Sequence, residues 1–322
     1  MSAVRSTPAT VLFAQRSEAD RFLPEGPRAV TVEGRPALAW VNIQTSADAT
    51  AGDVHVRFWD GGHRTYAQAR RPAFLIPTDR PDTLFVGREK EVGLLHLANN
   101  TFHPLAAIDD PSPRTIINDG QVVPGGRAVV FGTKDIKFAD PIANLYLFTL
   151  DDNKVSVLAD RQTCSNGKVF AREGGELLLF DIDTPKKNVV RYRLDVAARR
   201  VSAPEVVLDV SHHDGFPDGM VDGGGGSVVI AFYNPAAARE GHAVRFDLRT
   251  ATAIEEWTTP GSPRVTCPLL VELGGKVRLV VTTATEGMPA DQRAACPNAG
   301  DLFSAETAIA SAPPAEFVRL EP

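Results

Sequence analysis

Along this chain apolar and polar residues alternate in short runs, each five to nine residues long and bounded by Gly, Asp, Asn or Pro. Runs such as "AFLIP", "AVVFGTKD", "NLYLFTL", "ELLLFDID", "NVVRYRLDV", "SVVIAFY", "AVRFDL" and "VRLVVTTA" are rich in Val, Leu, Phe and Thr. That is the signature of β-strands separated by turns. Only "PAAARE" and "PADQRAA" have helix-forming composition, and each spans about two turns at most. The pattern predicts an all-β protein.

The strands repeat. Segments starting at Pro24, Arg71, Ile117, Ser165, Pro217 and Cys267 each read as a short strand, a Gly-centred turn and a second strand. Their starts lie roughly 45 to 52 residues apart, the length of a four-stranded propeller blade. The chain is therefore expected to be a single six-bladed β-propeller over residues 1–322, with inner strands beginning near residues 25, 72, 118, 166, 218 and 267.

In such a fold the first strand of each blade is innermost, so the residues opening those strands face one another at the mouth of the central channel. Here they include Glu25, Asn118, Asn166 and Asp218, while the second and sixth units offer apolar or sulfur side chains. Asn-Gly and Asp-Gly also open hairpins, and any one such pair alone reads that way. Four oxygen-bearing side chains in register point instead to a hard divalent cation, calcium, magnesium or manganese rather than structural zinc.

Composition narrows the partners. The 322 residues carry a formal net charge of −6, with 43% hydrophobic and 23% charged residues and no basic run, so neither nucleic acid nor an anionic membrane is an expected partner. The N-terminal "MSAVRSTPATVLFAQ" lacks the apolar core of a signal peptide. A cytoplasmic protein is expected. Cys164, Cys267 and Cys296 have no zinc-type spacing and read as reduced structural thiols, with a Cys267–Cys296 bridge as the alternative.

The ordered set Glu-Gly-Pro at 25–27, "WVNI" at 40–43, "NDG" at 118–120, "FGT" at 131–133, "NG" at 166–167 and "PDGMVD" at 217–222 resembles the gluconolactonase and regucalcin family, also called senescence marker protein and luciferin-regenerating enzyme. The resemblance covers essentially the whole chain. It implies one catalytic divalent metal on Glu25, Asn166 and Asp218, calcium first, with manganese, magnesium, zinc or iron as other ions such a site takes. It also implies that Asn118 contacts substrate, and that the reaction is hydrolysis of a sugar lactone, with Asp218 as general base. Two alternatives remain: a propeller that binds metal or metabolite without turnover, and a phosphotriester or other ester hydrolase on the same scaffold.

Departures from the family bear on the substrate. Where its members carry an arginine that holds the sugar acid, this chain has Ile116. Arg114 lies two residues further back and, on an unbroken strand, shares the face of Ile116 and Asn118. Lys134 and Lys137 follow "FGT" where acidic or small residues are commoner. The substrate-side candidates are thus Asn118, Ile116, Arg114, Lys134 and His213, the last from the His212–His213 pair leading into Asp218. "FWDGGHR" and "GGGG" read as hairpin turns, and the Tyr233 to His242 segment is expected to shape the rim.

Overall fold

The computed structural model describes residues 4–321. Its strands form six sheets, one per blade and each built on an antiparallel meander, and the strand starting each blade contacts the starting strands of its two neighbours, closing a ring. These inner strands are Pro24–Val32, Pro72–Pro77, Thr115–Val122, Ser165–Glu173, Phe216–Gly224 and Val265–Leu273. The six-bladed propeller expected from the repeat is the observed fold. Among the described residues the helical segments are one 3-10 turn, Thr184–Lys186, and one short helix, Ala290–Ala295 within "PADQRAA"; "PAAARE" forms neither. Among the described residues no helix is long and apolar enough to cross a membrane.

The core lies between blades and not within one. Each neighbouring pair encloses its own apolar cluster: Val54 and Val56 meet Leu75 and Val86 between the first two blades, while Leu38 and Trp40 meet Val280 and Leu302 across the last seam. Because both faces of a blade are covered, the second strand Arg35–Asn42 is buried at every position from Ala37 onward. This explains why several strands read as continuous apolar runs instead of strict alternation.

The seam is closed by a strand that the repeat did not reveal. Thr10–Phe13 pairs antiparallel with Leu302–Glu306 and supplies the outermost strand of the last blade. Just before it, Arg5–Pro8 runs parallel to the outer strand of the fifth blade, Thr252–Pro260. At the other end of the chain, Val318 is fully buried and bridges to Thr78, and residues 312–316 run along the face of the ring opposite the candidate site.

The inner strands share one irregularity. Every one of them shifts register against its partner near its start, between Glu25 and Arg28, Pro72 and Phe74, Ile117 and Gly120, Asn166 and Val169, Pro217 and Met220, and Val265 and Pro268. Bulges of this kind bend a strand and re-aim its side chains. They also let neighbouring strands crowd together: a Cβ on Gly219 would lie 2.5 Å from the Cys267 sulfur. The Asp218-Gly219 pair is therefore a bulge in an inner strand, and the hairpin turn of that blade is made by Gly224, Gly225 and Gly226, all at positive φ.

Deleting the chain through Phe13 would leave Leu302–Glu306 as an unpaired edge. The expected outcome is a fall in the thermal unfolding midpoint on the order of 10 °C, with self-association in size-exclusion chromatography. An unchanged midpoint would show that the N-terminal strand does not hold the ring shut.

Candidate functional site

The bulges turn Glu25, Asn118, Asn166 and Asp218 into one cavity of about 280 Å³ at the end of the channel where the inner strands begin. Lys134, Asp135, Cys164, Thr184, Tyr233 and Glu286 line it as well. The topology explains this second set. In an antiparallel hairpin the end of the second strand lies beside the start of the first, so Ile43, Lys134, Thr184, Tyr233 and Glu286, all at or just past the ends of second strands, face the same space.

Two amides are held in fixed orientation. The Asn118 Nδ2 donates to Asn166 Oδ1 at 2.8 Å and to the Ser165 carbonyl at 3.0 Å, which leaves its own Oδ1 as the acceptor available to the cavity. Asn166 Nδ2 donates to Thr184 Oγ1 at 2.8 Å. Behind them Lys168 is fully enclosed; its Nζ lies 3.3 Å from Asp181 and donates to Ser165 Oγ at 3.0 Å and to the Asn166 carbonyl at 3.3 Å. Burial pushes the Asp181 carboxyl up to about 6, against the opposing pull of Lys168 and of the Gln162 amide. The pair anchors the backbone that carries Asn166.

Charge is the dominant feature. Removal from water and the nearby Asp119 charge push Glu25 up to about 8, opposed by the Gly26 N–H and by Lys134. Asp218 is driven well above the usual carboxylate range, first by burial and then by the Glu25 charge, again with Lys134 opposing. Glu286 adds to both. Two carboxylates with one lysine for relief are a site short of positive charge.

That donor chemistry fits a hard divalent cation: two carboxylates and an amide oxygen, with a second amide beside them. Three or more His, Cys, Asp or Glu side chains in a metal-binding group are not found among the described residues, since two of the four candidate donors are asparagines. Glu25, Asn166 and Asp218 are the residues that would hold such an ion.

Three substrate-side candidates do not line this cavity. The Arg114 guanidinium is engaged by Asp135, with Nε to Oδ1 at 3.1 Å, and by Asp140 at 2.7 Å. Ile116 is 2% exposed and sits opposite Lys134 in the sheet. Ile116 was named by its correspondence with the family's arginine, and Arg114 by strict alternation along the strand, which the bulge after Ile117 breaks before Asn118. His213 stacks on Phe232 at 4.9 Å and abuts Phe246 edge-on, packed into the fifth blade. Lys137 is exposed outside the lining, whereas Tyr233 and Pro235 do contribute to the rim. The sequence reading passed over Ile136, Phe138, Phe216 and Glu286; the antiparallel register of the second strands was the signal that could have found Glu286.

The chain is thus a six-bladed propeller with oxygen-bearing side chains gathered at one channel mouth. The particular lineage follows from comparison: residues 23–285 match the model described as SMP-30/Gluconolactonase/LRE-like region, and the chain belongs to that family. A Bacillus subtilis protein named provisionally as a sugar lactone lactonase is 31% identical over 91% of this chain and 94% of its own length. The L-arabinolactonase of Azospirillum brasilense is 26% identical over 87% of this chain and 88% of its own. A crystal structure of a calcium-binding protein, regucalcin, from Agrobacterium tumefaciens superposes with a TM-score of 0.78 over 94% of this chain and 95% of that one, at 22% identity.

The raised carboxyls predict a pH effect. A carboxyl whose pKa rises on folding keeps its proton longer in the folded state, so the unfolded chain, ionising near 4.5, gains from rising pH first. Stability of chelator-treated protein should fall as pH climbs from about 4.5, with the Glu25 contribution complete near its own value of about 8. Asp218→Asn should flatten part of the decline in thermal unfolding measured across that range. A wild-type profile without slope would contradict the charge balance described.

Proposed function

We propose that this protein hydrolyses a lactone, with a divalent cation, calcium by first preference, held by Glu25, Asn166 and Asp218. The observation that carries the reading is the meeting of Glu25, Asn118, Asn166, Asp218 and Lys134 in one enclosed cavity, in a chain whose relatives include proteins named as lactonases. Bound there, the ion would supply Lewis-acid polarisation of the ester carbonyl and a lowered pKa for water.

The chain's own groups do the rest. Asp218 is the general base: its carboxylate takes one proton as water oxygen adds to the carbonyl carbon, and returns it to the ring oxygen when the ring C–O bond breaks. The product is an open-chain hydroxy acid. Asn118, its amide pinned through Nδ2, offers Oδ1 to a substrate hydroxyl or to water. Lys134, the cationic side chain lining the cavity, is suited to the negative charge that builds as the ring opens and to the carboxylate of the product. The substrate is a small molecule, and three buried unpaired cysteines suit a reducing compartment such as the cytoplasm.

The test is acid release, followed with a pH indicator, across sugar lactones, aliphatic lactones and phosphotriesters. Lactone hydrolysis that stops with chelator and returns with calcium or manganese is expected, and Asp218→Asn should lower kcat by on the order of 10²- to 10⁴-fold. Calorimetry supplies a readout without turnover: Glu25→Gln should weaken divalent-ion binding. Tight calcium binding with no turnover of any lactone would favour a binding protein, and preferred cleavage of phosphotriesters would move the activity to another ester.

A further inference from the structure

The cavity has two halves of opposite chemistry. Its inner end is the polar cluster described above, with Asn118, Cys164, Asn166 and Thr184 all buried. Its outer end is apolar: Ile136 and Phe138, 45% and 42% exposed, line it from the loop at 136–142, and Phe216 and Pro235 line it from the fifth blade. Phe138 and Phe216 meet edge to face, ring centroids 5.7 Å apart. Large apolar side chains left this exposed at the mouth of a polar pocket need a partner.

The loop holds its phenyl group in an unfavourable backbone conformation. Phe138 has φ of 52°, a region that bulky side chains rarely enter and that persists only where surrounding contacts impose it. Asp135 imposes it. Its side chain has no solvent exposure, and its carboxylate accepts hydrogen bonds from the backbone N–H groups of Lys137, Ala139 and Asp140 at 3.0 to 3.1 Å, while the Phe138 N–H donates to its carbonyl at 2.8 Å. Burial disfavours the charge, but the Arg114 bond and these N–H groups outweigh it and hold the carboxyl well below the usual range. Arg114 bridges Asp135 to Asp140, and its carbonyl accepts the Ile136 N–H at 2.8 Å. The arrangement presents Ile136 and Phe138 rigidly over the channel.

We infer that the substrate is a lactone bearing an alkyl or aryl substituent, which lies against Ile136, Phe138 and Phe216 while the lactone ring occupies the polar inner end of the cavity beside Asp218. The inference rests on the hydrolase reading above and adds to it the substrate class. A polyhydroxylated chain in the same place would set hydroxyl groups against two phenyl rings without hydrogen-bond partners, which costs binding. An apolar substituent is favoured there by about fourfold per methylene buried. Arg114 acts as a positioning residue, through Asp135, on Phe138.

The experiment has two arms. In the first, kcat/KM is measured on γ-butyrolactone, on the same ring carrying alkyl tails of increasing length, and on gluconolactone. In the second, calorimetry measures binding of the corresponding alkyl-substituted lactams, whose amide resists hydrolysis. Wild type is expected to gain up to about fourfold per methylene in both arms until the tail outruns the walls, and to favour the tailed lactones over gluconolactone. Phe138→Asn, a residue at ease at positive φ, should flatten both series. Arg114→Met should flatten them too, through KM rather than kcat, although the ring of Phe138 is still present. Lactam affinity that climbs with tail length and depends on Phe138, without turnover of any lactone, would uphold the apolar subsite and remove the hydrolase reading. Lactone turnover with no dependence on tail length in either arm, or a preference for gluconolactone, would overturn the subsite and leave the hydrolase reading standing.

Discussion

Everything at the candidate site depends on how closely six inner strands approach one axis. Ordinary strands would point alternate side chains into a space too narrow for them, and the bulge at the start of each strand resolves this. It requires glycine where backbones nearly touch: Gly167 sits at φ of 36°, and a Cβ on it would fall 2.8 Å from the Asp218 carbonyl. The residue before each such glycine is then thrust into the channel mouth. Crowding of strands and convergence of Asn166 and Asp218 are one geometric event, so the pairing of an oxygen-bearing residue with glycine serves packing and chemistry together.

The same crowding sets the electrostatics. Glu25 and Asp218 are withdrawn from water within reach of each other's charge, and each is pushed toward its protonated form. Lys134 offsets only part of this. The buried Lys168–Asp181 pair does not face that cavity; it ties Asn166 to the second strand of its own blade, so that the amide next to the carboxylates cannot swing away. Removing either partner of such a pair strands the other charge in a dry interior, which is why its cost would exceed that of an exposed ion pair.

What could be read in the sequence was what depends on local turn chemistry and regular spacing. The six strand-turn-strand units, their inner strands and the convergence of Glu25, Asn118, Asn166 and Asp218 follow from Gly-centred turns repeating at blade length. The closing strand Thr10–Phe13 was invisible because it is four residues long, follows Pro8, and finds its partner far along the chain, Thr10 lying 294 residues from Ser304, in register with none of the repeats. Arg114 was misplaced for a different reason, and Ile116 through its correspondence with the family's arginine. Period-two alternation is the rule a sequence offers for side-chain direction in a strand, and the bulge that breaks it here sits at an Asn-Asp-Gly run that reads equally well as a turn. His213 was drawn toward the site by its nearness to Asp218 in sequence, whereas stacking on Phe232 holds it in the blade.

The misplacement of Arg114 alters the meaning of the residue and of the pocket wall. A guanidinium inside the cavity would have made it a polar-recognition site; engaged by Asp135 and Asp140, it instead stiffens a loop that carries two apolar side chains to the same opening. The apolar character of the wall therefore comes from Ile136 and Phe138, beyond the end of a second strand, and not from Ile116 within a first strand. This divides the site by origin. First strands, fixed by the ring, supply the oxygen donors, while the segments after second strands, free of the packing constraint at the axis, supply the surface against which a substituent would lie. Substitutions in those segments can change what fits the opening without disturbing the bulges that bring Glu25, Asn166 and Asp218 together.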